Sequence, residues 1–79
     1  MMTRDQYREA LAKLGLAQEE VGRLLDVGPR TARRWASGEV PVPGPVEMHV
    51  RLWLLRPEVL NVTRQLAEER DREATKPGR

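Results

Sequence analysis

Glycine and proline cut this chain into short pieces. Gly15, the Gly28-Pro29 pair, Ser37-Gly38, the alternating prolines Pro41, Pro43 and Pro45, and Pro57 interrupt it, and between them apolar residues recur at helical spacing. The expected fold class is therefore all-α, a small five-helix domain. Thr3 and Gln6 have the spacing of a capping box, and Tyr7, Ala10, Leu11 and Leu14 share one face of a helix over 3–14. Gly15 suits the left-handed conformation that ends helices. A second helix over 17–25 carries Val21, Leu24 and Leu25, with Glu19, Glu20 and Arg23 between them.

The run Asp26-Val27-Gly28-Pro29 predicts a tight turn into a third helix over 28–37. Asp tolerates positive φ, Gly serves as an N-cap and Pro fits the first helical position. Ala32, Trp35 and Ala36 form its apolar side; Arg30, Arg33, Arg34 and Ser37 form its polar side. Residues 40–45 read as a stiff extended connector, because each proline lacks a backbone donor and restricts the residue before it, and Pro45 suits the start of the next helix. A fourth helix over 46–56 carries two apolar stripes, Val46, Val50, Trp53 and Leu54 on one side and Met48, Leu52 and Leu55 on the other, and is expected to be buried on both. After Pro57, Val59, Val62 and Leu66 mark the inward face of a last helix. The domain is expected to span 1–66, followed by a charged, disordered tail over 67–79 that includes the run from Glu68 to Glu73.

With 79 residues and no cysteine, the chain has no disulfide framework or thiolate metal site, and the lone His49 makes no ligand cluster. Neither metal, cofactor nor catalytic activity is expected. No apolar run approaches the roughly 20 residues of a membrane span, and the N-terminus lacks a signal-peptide stretch, so a cytoplasmic protein is expected. The net charge of +2 carries little weight, but its distribution does. Between residues 28 and 38 lie Arg30, Arg33 and Arg34 with no acid, directly after a segment containing Glu19, Glu20 and Asp26. Trp35 and Trp53 fall in periodic apolar patterns and are expected in the core.

The segment 16–35, LAQEEVGRLLDVGPRTARRW, resembles the helix-turn-helix of lambda-repressor-like, Cro-type regulators, with Gln18, Gly22, Asp26 and Trp35 at the motif's characteristic places. Gly22 independently suits a steep crossing of two helices, which needs a small residue at closest approach. Ala17 departs from the family's Ser or Thr cap, and Asp26 from its turn glycine, which should strain the turn. The resemblance implies sequence-specific binding of double-stranded DNA by a bacterial or phage transcriptional regulator that acts as a repressor. The third helix would lie in the major groove with Arg30, Arg33, Arg34 and Ser37 toward DNA, while Gln18 and Thr31 position it on the backbone. A different reading makes the chain an antitoxin-like module that binds a partner protein with the same fold. A homodimer through helix four or the C-terminal helix would supply two half-sites.

Overall fold

A computed structural model describes residues 1–74, which form five helices and no strand: α1 Arg4–Leu14, α2 Gln18–Leu24, α3 Pro29–Ser37, α4 Gly44–Leu55 and α5 Pro57–Ala74. The local signals act where they were read. Thr3 accepts from the Gln6 amide while the Gln6 side chain accepts from the Thr3 amide, completing the capping box of α1. At its other end Gly15 has φ 68°, and the Gly15 and Leu16 amides donate to the carbonyls of Ala12 and Leu11 at 3.1 and 2.9 Å. Ala17 gives α2 no side-chain cap, and Pro29 and Pro45 stand in the first turns of α3 and α4.

The core gathers between α1, the α2–α3 pair and α4, with Tyr7, Val21, Val50 and Trp53 its largest fully buried side chains. Val42 of the connector is also buried, so the extended run is an inner strap. Glu47 joins α4 to the N-terminus: its carboxylate accepts from Arg51 Nε and from the Met2 amide, both at 2.8 Å. Those bonds, Arg51 foremost, hold the Glu47 carboxyl below its ordinary pKa.

Three expectations about the C-terminal half are corrected. Helix α4 is buried along one stripe only, through Val46, Val50 and Trp53, while Leu54, expected beside them, is exposed, as are Met48, Leu52 and Leu55. Helix α5 packs Val59 half-buried against the core as expected and turns Leu60 and Ala67 inward, but leaves Val62 and Leu66 exposed. Nor does the domain stop at residue 66, since α5 continues to Ala74. The cause is that the inward face of α5 is partly polar. Thr63 accepts from Trp53 Nε1 at 3.2 Å, Arg64 Nε donates to Glu20 at 3.0 Å, and Arg23 Nε donates to Asp71 at 3.2 Å. Arg70 caps the end of α2 by donating to the Arg23 carbonyl. The expected tail over 67–79 is thus helical through Ala74; its residues 75–79 lie outside the described residues.

Candidate nucleic-acid interface

The site is built by the crossing of α2 and α3. Gly22 is buried at the crossing point, where a Cβ would stand 3.0 Å from Ala32 Cβ and 3.1 Å from the Val27 carbonyl oxygen. No larger residue fits without moving backbone. The intervening turn closes through the Val27 amide, which donates to the Gly22 carbonyl at 2.8 Å. Asp26 pays the conformational cost there, at φ 59°. With α2 fixed across it, α3 buries Ala32, Trp35 and Ala36 and turns its opposite face to solvent.

That outer face carries Arg30, Thr31, Arg33, Arg34 and Ser37, all exposed. Arg30, Arg33, Arg34 and Ser37 line one open cleft together with Glu39. Thr31 lies outside this lining. Half-buried Gln18 lies in the adjacent groove with Arg8, Leu16 and Ala36. Glu19 lines the Gln18 groove and reaches Arg33 Nη1, on the lining of the arginine cleft, at 4.0 Å. Glu39 approaches Arg34 Nε at 3.7 Å, whereas Arg30 has no ion pair among the described residues. Ser37 is engaged internally: its hydroxyl donates to the Arg34 carbonyl and accepts from the Glu39 amide.

Several neighbours were not singled out from sequence. Arg4 reaches from the start of α1 to donate to the Ser37 carbonyl at 3.4 Å, with its stem against Gly38. Arg8, one turn further along α1, lines the groove beside Gln18. Both add positive charge near the end of α3, and nothing in their own segment signals it. Glu19 and Glu39 are the acids that temper the patch. Among the described residues no group of His, Cys, Asp and Glu could hold a metal ion, and no helix is long and apolar enough to cross a membrane.

No protein-family profile and no solved structure matches the chain. Over 31 residues it is 48% identical to the mycobacterial cidal antitoxin MbcA of Mycobacterium bovis, and equally to that of Mycobacterium tuberculosis. The matched stretch is 39% of this chain and 27% of the antitoxin, so the chain spans about a quarter of the length of the curated relatives it matches.

Proposed function

We propose that the chain is a lambda-repressor-like helix-turn-helix protein that binds double-stranded DNA in a sequence-specific way through the outer face of α3. The carrying observation is that Arg30, Arg33 and Arg34 share one open cleft on a helix whose other side is locked into the core. In the motif's docking geometry such a helix enters the major groove. Arginine there donates twice to guanine O6 and N7, or clamps a phosphate, while Gln18 and Thr31 hold the backbone. Bound at a promoter, the protein would act as a repressor by occupying it. Selection from a random duplex pool should yield an enriched sequence. Arg33→Ala or Arg34→Ala should then weaken binding to it by about 1 to 3 kcal/mol for a base contact, or flatten the salt dependence by about one phosphate. Neither change should alter helicity, because both side chains are exposed. Unchanged affinity in both variants would refute the assignment of α3.

A second reading, an antitoxin-like module with a protein partner, is supported by the identity to the mycobacterial antitoxins. Its natural surface is the exposed apolar set Met48, Leu52 and Leu55 on α4 with Val62 and Leu66 on α5. A second copy of the chain on the same surface would give a homodimer, which suits DNA half-sites about one helical turn apart. Sedimentation at tens of micromolar distinguishes these arrangements. A dimer converted to a folded monomer by Leu52→Glu locates the copy there, whereas a monomer, both free and on the selected duplex, rejects it.

A further inference from the structure

Helix α3 does not present a bare row of arginines, because the acids that touch them come from elsewhere in the chain. Glu19 projects from the first turn of α2 to Arg33, and Glu39 from beyond the end of α3 to Arg34. Both pairs are about half exposed, with side-chain exposures of 52% and 50% for Arg33 and Glu19, so water screens them and either arginine can exchange its partner. Their positions differ. Glu39 lines the arginine cleft past the C-terminal end of α3, whereas Glu19 lines the Gln18 groove and reaches from there to Arg33 at 4.0 Å.

Resting on the DNA-binding reading, we propose that Glu19 is a specificity-determining residue that forms with Arg33 one donor and acceptor unit directed at a guanine–cytosine step. In the major groove guanine offers the acceptors O6 and N7, and cytosine offers the N4 donor; arginine matches the first and a carboxylate the second. Phosphate satisfies only the arginine and repels the carboxylate. An A·T pair places its one donor, adenine N6, between the acceptors N7 and O4, so it cannot satisfy the two-pronged arginine and the carboxylate side by side as the guanine acceptors and cytosine N4 do. The same residue therefore favours the matched site and penalises backbone-only binding, which is how an interface rejects wrong partners.

The full chain and its Glu19→Gln and Glu39→Gln variants test this by titration with a random duplex and with the duplex selected by the wild type, over a range of salt. Each variant removes one negative charge beside one arginine, so Glu39→Gln should raise affinity for both duplexes alike. Glu19→Gln should raise random-duplex affinity at least about threefold and lower the selected-to-random ratio about tenfold, a loss within the range of one base contact. Reselection with Glu19→Gln should relax a cytosine preference at one base pair. If the ratio for Glu19→Gln equals that for Glu39→Gln, or the base preference is unchanged, the inference is overturned while DNA binding stands. If the wild type binds neither duplex, both fall.

Discussion

Tyr7 is fully buried, and its hydroxyl finds no hydrogen-bond partner among the described residues. An unsatisfied buried hydroxyl opposes folding, whereas the ring beneath it supports the core. Tyr7→Phe should therefore stabilise the protein by about 1 kcal/mol, read as a higher urea midpoint with an unchanged slope. A lower midpoint would mean that the hydroxyl is satisfied after all. Burial also pushes the Tyr7 pKa from 10.0 up to about 12. Above pH 10 the unfolded chain loses this proton while the folded one keeps it, so stability is complete below that pH and declines as pH rises toward 12. The loss is on the order of 2 kcal/mol, and Tyr7→Phe should remove it from the alkaline limb of the stability profile.

At the scale of elements, the crossing of α2 and α3 is the joint on which the arginine face depends. Glycine inside α2 costs about 1 kcal/mol of helix propensity relative to alanine. At an open position Gly22→Ala would recover that amount. Here the new methyl group meets Ala32 Cβ at 3.0 Å and the Val27 carbonyl at 3.1 Å, and the latter is backbone of the turn. Overpacking of this kind costs about 1 to 3 kcal/mol, enough to outweigh the propensity gain. Gly22→Ala should lower stability by about 1 kcal/mol net and, on the proposed function, weaken DNA binding by tilting α3. A stabilised variant with normal affinity would contradict the tight crossing.

Across the whole molecule, α5 ties the C-terminal end of the described chain to α2. Arg64 to Glu20, Arg23 to Asp71 and Arg70 to the Arg23 carbonyl all join α5 to α2. Each exposed ion pair contributes less than about 1 kcal/mol, and burial of Ala67 adds roughly 0.8 kcal/mol. A chain ending at residue 66 keeps Arg64 and Glu20 but loses Ala67, Arg70 and Asp71, and should accordingly be about 2 kcal/mol less stable than the full chain, with part of the difference abolished by high salt. Equal melting temperatures for the two chains would show that α5 beyond Leu66 is dispensable.

Helix limits and the α3 core were legible in the sequence because their causes are local. The capping box of Thr3 and Gln6, the turn at Gly15 and the prolines opening α3 and α4 act within a few residues of themselves. Ala32, Trp35 and Ala36 follow from the period of one helix, and opposite them Arg30, Arg33 and Arg34 reach solvent. Seeking apolar residues found the inward face of α5 only at Val59, since Thr63, Arg64, Arg70 and Asp71 share that face with Leu60 and Ala67. Their partners are distant in sequence: Arg64 meets Glu20 across 44 residues and Arg70 meets Arg23 across 47. Likewise only packing brings Arg4 to Ser37 and Glu19 to Arg33. Local chemistry thus determined where helices begin and end, while tertiary structure decided which polar side chains meet, because that depends on how the helices cross.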